Sequence, residues 1–208
     1  MVRLALLALV IGVTLVWAPG VGAAQDGRAA AALLTLGDLP AGWHVSERFS
    51  GPTSGDGGFC GDTAPRPGRR TDAAIENAEA GFERGAVGPW IYQAVSVHTP
   101  ESAANLMDEA RTTLVDCDWV DEDDKGMVTR WSLAARPFAA LGDDTLAYRL
   151  TASADLGTAA FDMVIIRRGD MLSVLLHGAV GIFGPANLDS SLTERMAQRA
   201  DALMIAVQ

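Results

Sequence analysis

The chain has 208 residues and carries 16 basic against 26 acidic side chains, a formal net charge of −10. That balance argues against a nucleic-acid binder, whose backbone affinity comes from clustered cations neutralising phosphates, and against a polybasic lipid-binding surface. A hydrophobic content of 49% with 20% charged residues fits a folded chain and excludes a wholly disordered one.

Residues 1–24 read as a secretory signal peptide. Arg3 is a minimal positive start, and the uncharged stretch Leu4 to Trp17 follows. Pro19 and Gly20 break it, and Val21-Gly22-Ala23 or Gly22-Ala23-Ala24 supplies small residues at a cleavage site. The apolar stretch has 14 residues, short of the roughly 18–20 that cross a bilayer. The alternative is a retained signal anchor, the one route by which a membrane becomes a partner. The expected location is secreted or in the extracytoplasmic cell envelope, with residues 25–208 as the mature domain.

Export changes how Cys60 and Cys117, the two cysteines, are read. In an oxidising compartment an even pair reads as a disulfide. It would close a loop of 58 residues, worth roughly 4 kcal/mol in the chain-entropy model. Two free buried thiols are the alternative.

Arg28 to Leu36 reads as a short helix, ended by Gly37-Asp38-Leu39-Pro40. Trp43 to Phe49 reads as a strand. Residues 50–72 are dense in Gly, Pro, Ser and Asp and read as a long loop with Cys60 in its middle. Residues 73–98 read as two strands around a turn from Gly85 to Pro89, rich in β-branched and aromatic side chains. Thr99-Pro100-Glu101 starts a helix with a capping hydroxyl, a proline at the first position and an early acid. Its apolar residues Ala103, Leu106, Met107, Ala110 and Leu114 recur at helical spacing, and it is expected to end near Cys117.

Four strands follow, at about Met127–Ala134, Thr145–Ala154, Ala159–Arg168 and Met171–Ala179. Gly157 and Gly169-Asp170 mark the turns as antiparallel hairpins. The last two strands are apolar on both faces and belong at the sheet centre. A final helix starts near Ser191, where Ser191 and Glu194 have capping-box spacing. The expected fold is α+β: a curved antiparallel β-sheet with helices packed against it.

The common catalytic templates fail. No G-x-S-x-G, H-E-x-x-H or phosphate-binding glycine loop is present. His44, His98 and His177 share no local motif, and His177 reads as a strand histidine satisfied by its neighbours. A triad built from distant residues would need histidine, hydroxyl and carboxylate to meet in space. The acidic run around Asp121 and Asp123 fits a calcium loop at its first positions, but Lys125 and Ser132 stand where ligand oxygens are required. No metal, no cofactor and no catalytic residue is expected.

Strand parity points instead to a binding surface. Arg130 and Ser132 share one face of their strand, Arg149, Thr151 and Ser153 share one face of theirs, and Arg167 follows the apolar third strand. If these faces coincide, Arg130, Arg149, Thr151 and Arg167 line a groove whose guanidinium forks suit carboxylate or phosphate. The alternative is a solvated sheet face with ordinary Arg–Asp pairs. On this reading Arg149→Glu weakens an anionic ligand and leaves the fold intact.

Several strings carry a family resemblance. Leu33-Leu34-Thr35-Leu36-Gly37-Asp38-Leu39-Pro40-Ala41-Gly42-Trp43 resembles the opening of the PknH-like extracellular sensor domains of actinobacteria. Leu114-Val115-Asp116-Cys117-Asp118-Trp119, Ala140-Leu141-Gly142-Asp143-Asp144 and Val164-Ile165-Ile166-Arg167-Arg168-Gly169 are similar to later segments, so the likeness spans about residues 29–207. It implies a PsbP-like α+β fold, a disulfide between Cys60 and Cys117, and a cleft for an unidentified ligand. Kinase-linked members carry two bridges; this chain has cysteines for one. No kinase domain and no second membrane segment are read here, so signalling across a membrane in cis is not expected. The family supplies no catalytic residues. The expected function is a non-catalytic, sensor-like module with a polar cleft for a small-molecule, cell-wall or protein ligand. A structural or partner-interaction envelope protein without such a cleft is the alternative, and a hydrolase with a non-local site a further one.

Overall fold

The computed structural model describes residues 27–46, 74–85, 88–122, 128–155, 157–182 and 184–208, with the side chains of Asp121 and Glu122 left aside. The signal segment, the loop at 50–72 with Cys60, and most of the acidic run lie outside the described residues.

The fold is α+β. The strands are β1 (His44–Val45), β2 (Glu76–Glu83), β3 (Trp90–Val97), β4 (Cys117–Glu122), β5 (Val128–Ala135), β6 (Asp144–Ala154), β7 (Gly157–Arg168) and β8 (Met171–Ile182). They form one antiparallel sheet in the order β1-β2-β3-β8-β7-β6-β5-β4. The centre belongs to β7 and β8, as their two apolar faces require. Gly169, at φ +58, sits in the tight turn between them, a backbone state costly for residues with a Cβ.

Each face of the sheet has its own core. One face carries Ile91, Val95, Val164, Ile166 and Leu175, packed under α1 (Arg28–Ala31), the Leu34 that follows it, and α3 (Ser190–Ala206), with Ala29, Met196 and Met204 as the helix contacts. The other carries Leu133, Tyr148, Leu150, Met163 and Leu172, packed under α2 (Pro100–Thr113) through Ala103 and Met107. Thr99 caps α2, its hydroxyl accepting from the Ser102 amide at 3.2 Å. Two bidentate pairs fasten the first face: Arg28 to Asp170, and Arg168 to Asp201 on α3.

Four elements depart from expectation. The first helix stops at Ala31 instead of Leu36, because buried Gln93 intercepts the backbone. Its Oε1 accepts from the Leu34 amide at 2.7 Å, and its amide donates to the Ala32 carbonyl and to Ser173 Oγ. Residues 36–38 then form a 3₁₀ turn with a Thr35–Asp38 capping box. Second, α2 ends at Thr113, short of Cys117. Third, Cys117 opens β4, an edge strand hidden in the sequence by its aspartates; Trp119 stacks on Trp131 of β5 with ring centroids 5.8 Å apart. Charged residues are common on edge strands, where they discourage further pairing. Fourth, α3 is capped by Asp189, whose Oδ1 accepts from the amides of Ser191 and Leu192, so the Ser191–Glu194 capping box is not used.

Candidate functional site

The helices leave part of the sheet uncovered. On the α3 face the register aligns Arg130 with Ser153, Ser132 with Thr151, and Ala134 with Arg149. These residues therefore share one face; parity grouped them within each strand, and the β5–β6 register brings the two groups together. Arg130, Thr151 and Ser153 are exposed, and Ser132 and Arg149 are half-buried. Together they make an open polar shelf beside α3.

Arg167 does not join them. The β6–β7 register pairs Arg149 with Asp162 and Arg167 with Asp144, and an odd offset along a strand reverses the face. Arg167 sits at the end of β7 on the α2 side, ion-paired to Asp143 at 3.2 Å. The apolar run before it carries no polar marker of face, which is why sequence alone placed it in the groove.

The back of the shelf is a buried polar network that the sequence reading missed. Asp162 is 0% exposed. Its Oδ1 accepts from Arg149 Nε at 2.6 Å, and Arg136 Nη1 pairs with its Oδ2 at 2.6 Å. Thr193 Oγ1 donates to the same Oδ2 at 2.9 Å. Arg149 Nη2 also donates to Ser190 Oγ at 2.9 Å, joining the sheet to the first turn of α3. Burial pushes the Asp162 carboxyl up, but hydrogen bonds from Arg136, Arg149 and Thr193 outweigh it and hold the group below its ordinary range. The legible clue was a lone aspartate inside an apolar strand, since a buried carboxylate requires cations.

His177, opposite Asp162 on β8, extends this network. Its Nδ1 lies 2.8 Å from Thr193 Oγ1. The single Thr193 proton goes to Asp162, so the ring is the donor and Nδ1 carries the hydrogen. Nε2 is then a bare lone pair, buried and without a partner among the described residues. Burial pushes this imidazole down to about 4.

Histidine, hydroxyl and carboxylate thus do meet within hydrogen-bond range, the condition set for a non-local hydrolase. Their order is wrong for one. In a catalytic triad the imidazole stands between hydroxyl and carboxylate and takes the hydroxyl proton. Here the hydroxyl stands between, and its proton rests on a carboxylate made weakly basic by two arginines. Thr193 is 0% exposed and His177 1%, so no substrate reaches them. The trio is a structural network. It also revises Arg149: Arg149→Glu would set a second carboxylate against buried Asp162 and would not leave the fold intact.

A second concavity, of about 410 Å³, lies at the other end of the sheet between Leu34, Leu36, Val45 and Phe82. It is largely apolar and shares no residue with the shelf. Glu79 borders it, its carboxyl pushed up by burial. Among the described residues no cluster of potential metal ligands occurs, and no helix is long and apolar enough to cross a membrane.

No family model matches the chain, and no curated protein does. Among solved structures, the extracellular domain of PknH from Mycobacterium tuberculosis is similar with a TM-score of 0.47 and 10% identity, covering 70% of this chain and 70% of that one. A likeness of that size carries no argument about the site.

Proposed function

We propose that this chain is an exported, non-catalytic, sensor-like binding module whose open shelf receives an anionic group of a small-molecule, cell-wall or protein ligand. The observation that supports it is the β5–β6 register, which sets Arg130, Thr151 and Arg149 on one uncovered face with Ser132 and Ser153 between them. Arg130 and Thr151 supply accessible donors. Arg149 is already committed to Asp162 and Ser190, so it orients the shelf more than it offers free charge. That commitment favours the second reading, a structural or partner-interaction envelope protein in which the shelf is a solvated face.

A thermal-shift screen against cell-wall fragments and anionic metabolites separates the two. A ligand of the native state raises the melting temperature by mass action. Arg130→Glu should abolish the shift while leaving the unliganded melting temperature within about 2 °C of wild type, since exposed substitutions change stability little. Stabilisation that survives in both Arg130→Glu and Thr151→Glu would remove the shelf from the binding reading, and a silent panel would favour the structural one.

A further inference from the structure

We propose that His177 and the first turn of α3 form an acid-released latch: protonation of the buried ring frees that turn from the sheet and re-exposes the back of the shelf. The geometry is a single chain of contacts across three strands and one helix. His177 Nδ1 meets Thr193 Oγ1, which donates to Asp162, which holds Arg149, which donates to Ser190. Thr193 and Ser190 stand one turn apart at the start of α3, so both helix contacts belong to the same turn.

The neutral ring satisfies this arrangement with one hydrogen. A second, on Nε2, has no acceptor among the described residues, and the ring is 1% exposed. A buried donor without a partner, carrying a charge, is costly. The charged groups acting on the ring are Asp162 of β7, Arg149 of β6 and Asp189 at the cap of α3, with Arg136 from the segment after β5 paired to Asp162; the residue opposite on β3 is Ile91, which is uncharged. Asp162 is already shared by two guanidinium groups, so it has little left to offer a third cation. Acid therefore favours a form in which the ring meets water. The hinge of least resistance is the helix start, because β8 is bonded on both edges. Arg149 would then lose Ser190; only this consequence for ligand binding rests on the shelf reading.

Hydrogen exchange on the full exported chain tests the latch without a ligand, with rates corrected for intrinsic pH dependence. With the ring near 4 when closed and at its ordinary 6.5 when open, the open population rises about 50-fold between pH 7 and pH 4.5. Amides of Leu192 to Ala197 should lose protection by that order, while those of β7 and β8 keep theirs. His177→Asn, whose amide can donate to Thr193 but takes no proton, should abolish the change. NMR titration of the wild-type ring supplies a readout should that variant not fold; it should begin to titrate as the α3 amides open. Unchanged protection down to pH 4.5, or loss of α3 and the central strands together, would overturn the proposal.

Discussion

Asp162 is a carboxylate shut off from the solvent surface, and two guanidinium groups hold it in its ionised form. Removing it leaves Arg136 and Arg149 without their counter-charge, and breaking a buried pair from one side costs about 3–5 kcal/mol. Asp162→Ala should lose stability of that order in urea unfolding, whereas exposed Thr151→Ala should change it by less than about 0.5 kcal/mol. The two buried titrating groups also set the acid limit. His177 is held down at about 4 against an ordinary 6.5. The unfolded chain therefore binds the proton first as pH falls, and stability drops from about pH 6.5 to 4, by as much as ~3 kcal/mol. Asp162 is held below its ordinary 3.8, so its contribution is present above that value and disappears as pH falls through its lower folded one. Unfolding curves from pH 7 to pH 3 should show the first loss and the onset of the second. A flat profile from pH 6.5 to pH 4 would contradict the burial of a neutral ring.

At the scale of elements, local chemistry was legible wherever one residue type decides the outcome. Thr99-Pro100 announced α2, and the strand expected at Thr145–Ala154 is β6, with Tyr148 and Leu150 on its α2-facing side. The unbroken apolar runs located β7 and β8 at the centre. Elements set by a distant partner were not legible. Gln93, 59 residues away, takes the Leu34 amide and cuts the first helix short. β4 exists because β5 offers it an edge and Trp131 a stacking surface, and its own aspartates argue for a loop. The shelf was half visible: parity grouped Arg130 with Ser132 on one strand and Arg149, Thr151 and Ser153 on the next, but the registers that join those two groups and send Arg167 to the other face are properties of strand pairs. Gln93→Leu tests the first case. It strands the Leu34 amide and the Ala32 carbonyl, at about 1–3 kcal/mol for a buried group left unpaired. The loss should appear in thermal unfolding together with faster exchange at Leu34. At the other helix, Asp189→Ala removes a cap used by two amides and should cost about 1 kcal/mol.

At the scale of the whole molecule, the open question is what fastens the outer edge. The sheet core is held from both faces, but among the described residues β4 is the last strand and pairs with β5 alone. Cys117 is its first residue, half-buried against the α2 core, and no cysteine among the described residues is a free thiol. Cys60, the other cysteine, lies outside the described residues, so the bridge expected from export is a proposal that chemistry must test. A covalent tie at Cys117 would anchor the exposed edge at the point where the chain leaves α2. It would also restrict the unfolded chain through a closed loop of 58 residues. Cys60→Ser should then lower stability by about 2–5 kcal/mol in oxidising buffer. The loss should match that produced by reducing the wild-type protein, and reductant should leave the variant unchanged. The intact mass should be 2 Da below the fully reduced value, since one bridge removes about two hydrogens. An equal melting temperature for variant and wild type in oxidising buffer would leave β4 held without a covalent tie, by contacts such as its ladder to β5 and the Trp119–Trp131 stack, and would remove the main chemical sign of export.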